Sequence, residues 1–211
     1  MKAIFLDRDG TLNTDAEYIS RFEDFVVLPD VVPALRIFQD LGYRLFVVSN
    51  QSGVGRGYFS YEDAVELNRK ADAWFRERGI VFDDMIICPH HVSSTDPRYR
   101  IDCDCRKPRP GMILELARRH GIDLAASYMV GDKRVDAEAG INAGATGVWL
   151  RIPGNRYAEP GRVDKARNLK EFVSLLDFAH FLRELDGRNG SPGRNDPEQG
   201  SVPPERRDSS R

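Results

Sequence analysis

The stretch Ala3-Ile4-Phe5-Leu6-Asp7-Arg8-Asp9-Gly10-Thr11 decides the fold. Four consecutive apolar residues without polar alternation suit a strand buried on both faces, as in parallel sheets covered by helices. The run ends by delivering two carboxylates, Asp7 and Asp9, into one place. Gly10 lets the backbone turn sharply, and Thr11 can hydrogen-bond locally. A polar turn alone would account for Asp-x-Asp-Gly. Like charges this close repel, however, unless a cation sits between them. The carboxyl end of a strand in an open sheet is also where such folds bind ligands. The pair therefore points to a magnesium site with one carboxylate available as a nucleophile.

Working outward, apolar runs and helical periodicities alternate. Residues 44–49 form a second continuous apolar strand, and short strands are expected at 85–87, 128–130 and 147–150. Helices are expected at 30–41, from Ser60 to about Arg78, at 110–120, and from about 133 to Ala143. A last amphipathic helix is expected over 170–185. Glycines at 42, 79 and 121 fit helix stops, and Ser60 fits an N-cap. Strands alternating with helices predict a three-layer α/β/α, Rossmann-like, mostly parallel sheet.

The 211 residues suffice for one domain, expected over 1–186. Residues 187–211 are rich in Gly, Pro, Ser, Asn, Asp and Arg, with Val202 the single aliphatic residue, so they read as a disordered tail. A net charge of −2 gives no general attraction to nucleic acid or an anionic membrane, and neither is expected as a partner. No run is long enough to span a bilayer, and the N-terminus enters a strand without a signal-like leader. A cytoplasmic location follows as the expectation.

All three cysteines, Cys88, Cys103 and Cys105, fall in one short region. With a histidine they offer four soft ligands, Cys88-Pro-His90 and Cys103-Asp-Cys105, which suit a closed, structural tetrahedral zinc site. His91 competes with His90, because Cys-x-His and Cys-x-x-His are hard to separate by spacing. Such a clip would fix the cations Arg106 and Lys107 that follow Cys105 directly.

Two more strand ends carry chemistry. Ser49-Asn50-Gln51-Ser52-Gly53 supplies hydroxyls, amides and turn N–H groups that can cradle an anion. Gly131-Asp132-Lys133 supplies a third strand-end carboxylate that can complete a hard-oxygen site. Asp136 lies one helical turn on, placed to orient Lys133 or the metal shell.

Together these motifs resemble the haloacid dehalogenase-like phosphatases, with FLDRDGT, VVSN, RKP and VGDK in the order of that family's four motifs. The likeness covers roughly residues 1–175. The wording SNQSG, CDCRKPRPGM and ASYMVGDK narrows it to zinc-containing members acting on sugar bisphosphates, with stand-alone histidinol-phosphate phosphatases as the alternative. A zinc-stabilised binding module is the reading from another class. The resemblance implies a haloacid dehalogenase-like fold with a zinc-bound loop, and a magnesium-dependent phosphatase working as a monomer on a small phosphorylated sugar. Asp7 would be the nucleophile, and Asp9 the general acid and then base. Ser49 and Lys107 would bind the transferring phosphoryl group. Asp7, the Asp9 carbonyl and Asp132 would hold magnesium, while Cys88, His90, Cys103 and Cys105 would hold zinc. Asp15, Tyr18, Asn50, Gln51, Ser52, Arg106 and Lys133 would contact substrate. To serve as an acid near neutrality, Asp9 would need a raised pKa.

Overall fold

The computed structural model describes residues 1–153 and 168–189. Six parallel strands form one sheet: β1 (Ala3–Leu6), β2 (Arg44–Asn50), β3 (Asp84–Cys88), β4 (Tyr128–Gly131), β5 (Thr146–Leu150) and β6 (Leu169–Phe172), ordered β3-β2-β1-β4-β5-β6. The first strand along the chain sits in the interior of the sheet, and the order reverses between β1 and β4. That switch point leaves a crevice at the carboxyl ends of the strands.

Strand side chains alternate between two cores. Ile4, Leu6, Leu45, Val47, Val130 and Val148 face one layer. That layer contains α1 (Val31–Asp40), α3 (Tyr61–Arg76) and α6 (Leu175–Asn189). Phe5, Phe46, Val48 and Met129 face the other, with α4 (Gly111–His120) and α5 (Arg134–Ala143). Both faces are thus covered, which is why the strands read as unbroken apolar runs. α3 begins as expected: Ser60 and Asp63 form a reciprocal capping box. Gly121 closes α4 in the left-handed conformation. A single short turn, α2 (Ser52–Gly55), follows β2.

One element differs from the sequence expectation. Residues 170–172, read as the start of the last helix, belong instead to the edge strand β6, paired in parallel with β5 from Gly147↔Leu169 to Leu150↔Phe172. Leu169-Lys170-Glu171-Phe172 is mixed in polarity, because an edge strand packs against only one neighbour; the helix starts afterwards, at Leu175. α6 runs to Asn189, so residues 187–189 of the expected tail are helical, and 190–211 lie outside the described residues. No helix among the described residues is long and apolar enough to cross a membrane.

Candidate active site

The two central strands deliver the acidic groups. Asp7 follows β1 and extends its ladder, donating its N–H to the Val130 carbonyl at 2.9 Å. Asp132 follows β4, and its N–H donates to Thr11 Oγ1 at 3.1 Å, which stitches the two loops together. Between them Gly10 adopts φ +89°, and any side chain there would strike the Asp132 carboxylate. Glycine is thus required twice, by the backbone conformation and by the close approach.

Lys107 enters from the segment between β3 and α4. Its Nζ lies 2.7 Å from Asp7 Oδ1 and 2.7 Å from Asp136 Oδ1, and it donates to the Val48 carbonyl at 2.8 Å. Burial disfavours this ammonium, but the Asp136 and Asp7 carboxylates more than offset it and raise its pKa. Asp136 is pushed up to about 6, first by burial, with Lys107 opposing and Asp7 reinforcing. Its second oxygen accepts the Lys133 N–H at 3.0 Å, so Asp136 is engaged on both sides.

Asp7, Asp132 and Asp136 each bring a carboxylate oxygen within 4.8 Å of the others. Cis and trans oxygens around an octahedral magnesium lie about 3 and 4 Å apart, so the all-oxygen donor set fits that ion. With Asp136 committed to Lys107 and the Lys133 amide, Asp7 and Asp132 are the side chains best placed to hold it.

Asp9 is turned to a different set of partners. Arg8 grips both its oxygens, Nε to Oδ1 at 3.0 Å and Nη2 to Oδ2 at 2.8 Å. Gln51 and Asn13 donate to it at 2.7 and 3.1 Å. Burial opposes its charge, but Arg8, then Gln51 and Asn13, hold its pKa below the usual carboxylate range. The raised pKa expected from sequence is therefore corrected for the free protein: the neighbouring guanidinium outweighs the desolvation. Arg8, only 2% exposed, is itself anchored through Nη1 to Asn68 Oδ1 of α3 at 3.0 Å.

A cavity of about 500 Å³ opens onto these groups. Asp15, Tyr18, Asn50, Gln51, Ser52, Arg106 and Lys133 line it, together with Asp7, Asp9, Ser49 and Lys107. Within it Lys133 Nζ pairs with Asp15 at 3.1 Å. Asn50 instead brackets the Lys107 backbone, accepting its N–H at 3.1 Å and donating to its carbonyl at 3.2 Å. Sequence reasoning missed Arg8 and Arg56 and underrated Asp136. Of these, only Asp136 had a local signal, its helical spacing from Asp132.

The cysteine cluster is assembled at the end of β3. Cys88, His90, Cys103 and Cys105 converge, with Cys88–Cys103 at 3.6 Å and Cys105 Sγ at 3.2 Å from both Cys88 Sγ and His90 Nδ1. Ligand atoms around a tetrahedral zinc stand about 3.5–3.8 Å apart, so this soft set fits that ion. The cysteines form no disulfide. The Cys105 thiol is raised by hydrogen bonding to Cys88 and by burial. His90, not His91, faces the cluster.

Strand-end carboxylates around a buried lysine at the switch point of a parallel sheet define a haloacid dehalogenase-like hydrolase. Residues 104–158 match the HAD-hydrolase-like family. The chain is 46% identical over 188 residues to D-glycero-beta-D-manno-heptose-1,7-bisphosphate 7-phosphatase of Haemophilus influenzae, covering 87% of this chain and 98% of the relative. Identity to the Escherichia coli K12 enzyme of the same name is 43% over 184 residues, covering 86% and 94%. The crystal structure of D,D-heptose 1,7-bisphosphate phosphatase from B. bronchiseptica, complexed with magnesium and phosphate, superposes with a TM-score of 0.76 at 28% identity, covering 88% of this chain and 99% of the other. The chain belongs to the D-glycero-D-manno-heptose-1,7-bisphosphate 7-phosphatase family of haloacid dehalogenase-like hydrolases.

Proposed function

We propose that this chain is a magnesium-dependent phosphatase that removes the 7-phosphate of D-glycero-D-manno-heptose 1,7-bisphosphate through an aspartyl-phosphate on Asp7. The product, a heptose 1-phosphate, is suited to nucleotide activation for lipopolysaccharide-core or S-layer glycan synthesis. The observation that carries the reading is the buried Lys107 ammonium, seated 2.7 Å from Asp7 beside two further carboxylates.

Magnesium, held by Asp7, Asp132 and the Asp9 carbonyl, would supply charge neutralisation for the incoming phosphoryl dianion. Lys107 adds a fixed positive charge on the same side, and Ser49 adds a hydroxyl donor. Asp7 attacks phosphorus in line with the departing sugar oxygen. Most of the rate gain comes from such positioning and charge stabilisation. Asp9 lies two residues on, held by Arg8, Asn13 and Gln51. A dianionic phosphoryl group beside it favours its protonated form, which suits it to hand a proton to the leaving oxygen. In the second half-reaction the carboxylate takes a proton from the attacking water. Asp15, Tyr18, Gln51, Ser52, Arg106 and Lys133 contact the sugar and its remaining phosphate.

Cys88, His90, Cys103 and Cys105 would hold a structural zinc, closing the loop that leads into Arg106 and Lys107. The reduced cysteines agree with a cytoplasmic setting. We take the working form to be a monomer without nucleic-acid or membrane partners, since one chain supplies every residue named. The domain would extend through about residue 186, with 187–211 appended to it.

Phosphate release from the heptose bisphosphate and from histidinol phosphate, with and without magnesium, tests the reading. Preference for histidinol phosphate would reassign the substrate. Magnesium-independent inertness toward every ester would leave a zinc-clipped binding module.

A further inference from the structure

Arg56 closes the short turn α2, directly after the Ser49–Ser52 loop, and lines the same cavity as Asp7 and Lys107. Neither Arg56 nor Arg106 makes an ion pair with any described residue. Arg56 Nε is buried without a hydrogen-bond partner among the described residues. Its Nη2 lies 3.3 Å from His91 Nε2.

The His91 ring is oriented by its other nitrogen. The Ser93 N–H donates to His91 Nδ1 at 3.1 Å. An imidazole whose Nδ1 accepts carries its proton on Nε2. Two donors, Nε2–H of His91 and Nη2–H of Arg56, therefore face one another. A shared acceptor with several oxygens satisfies both, and a phosphoryl group is such an acceptor. Arg106 is pinned by Nη1 to the His90 carbonyl at 3.1 Å, which leaves the rest of its guanidinium to the cavity it lines.

We propose that Arg56, seated by His91 and flanked by Arg106, is a specificity-determining residue that receives the substrate's second phosphoryl group, the one that is not transferred. This rests on the bisphosphate reading above. It gives His91, the histidine left out of the cysteine cluster, a role in binding. It also separates two tasks in adjacent residues: His90 faces the thiols, and His91 faces Arg56.

The test compares kcat/KM for D-glycero-D-manno-heptose 1,7-bisphosphate and for the 7-monophosphate of the same sugar, using the full chain with magnesium. In Arg56→Gln the ratio of bisphosphate to monophosphate falls by roughly 10- to 100-fold, the scale of a lost charge-assisted hydrogen bond. The fall comes mainly through KM for the bisphosphate, and Arg56→Lys recovers part of it. A ratio within about twofold of wild type in Arg56→Gln overturns the inference, as does wild-type protein that uses the monophosphate as well as the bisphosphate; the phosphatase stands in both cases. Wild-type protein inert toward both esters overturns the function and this inference together.

Discussion

Lys107 and Asp136 form an ion pair at 2.7 Å, each side chain only 2% exposed. Asp136 is fixed in turn by the Lys133 amide, so the first turn of α5 holds the ammonium against Asp7. Lys107→Met would leave Asp7, Asp132 and Asp136 facing one another without a cation. Removing one partner from a buried ionic cluster costs about 3–5 kcal/mol. Urea unfolding is expected to shift to lower denaturant by a corresponding amount, with magnesium restoring part of the loss by binding the folded state. An unchanged midpoint would remove Lys107 from the electrostatic balance of the site.

Arg8 is the second lever. Its fork sets the orientation of Asp9 and is tied back to Asn68 on α3. Arg8→Ala is expected to lower kcat by about 10- to 100-fold, since small misplacements of a reacting group carry penalties of that order. Asn68→Ala should give a milder loss in the same direction. Steady-state kinetics decide it: a change confined to KM would place Arg8 outside the positioning of Asp9.

Gly10 tolerates no side chain. Gly10→Ala must force a residue at φ +89° and push on the Asp132 carboxylate. The backbone alone costs about 1–2 kcal/mol. Displacing Asp132 should also weaken magnesium activation, seen as a higher magnesium concentration at half-maximal rate. Wild-type magnesium dependence in this variant would separate Asp132 from the metal.

The cysteine cluster gives a fourth expectation. Protein loaded with zinc and then treated with a strong chelator should become susceptible to proteolysis within 89–105 and lose activity, because Arg106 and Lys107 follow the clip directly. Cys103→Ser should behave like chelated protein. Full activity with metal analysis showing no zinc would make the clip dispensable.

Much of this was legible in the chain. The runs at 3–6 and 44–50 read correctly because both sheet faces are covered, and strand ends then told where Asp7, Ser49 and Asp132 converge. β6 was not legible: Leu169-Lys170-Glu171-Phe172 carries an edge strand's mixed polarity and runs almost directly into a helical pattern. The choice between His90 and His91 was undetermined by spacing and is decided by which ring faces the three thiols. The Arg8–Asp9 pairing involves adjacent residues, whose side chains alternate in an ordinary strand. They meet here because the chain has already left β1 and turned at Gly10. Asp136 could be placed one turn beyond Asp132, but its contact with Lys107 depends on a segment brought in from between β3 and α4.

The most direct measurement is ³¹P NMR of D-glycero-D-manno-heptose 1,7-bisphosphate incubated with the protein and magnesium. The account expects the 7-phosphate resonance to be replaced by inorganic phosphate while the 1-phosphate resonance persists, and no change with Asp7→Asn. An unaltered bisphosphate spectrum, loss of the 1-phosphate first, or equal turnover by Asp7→Asn would contradict it.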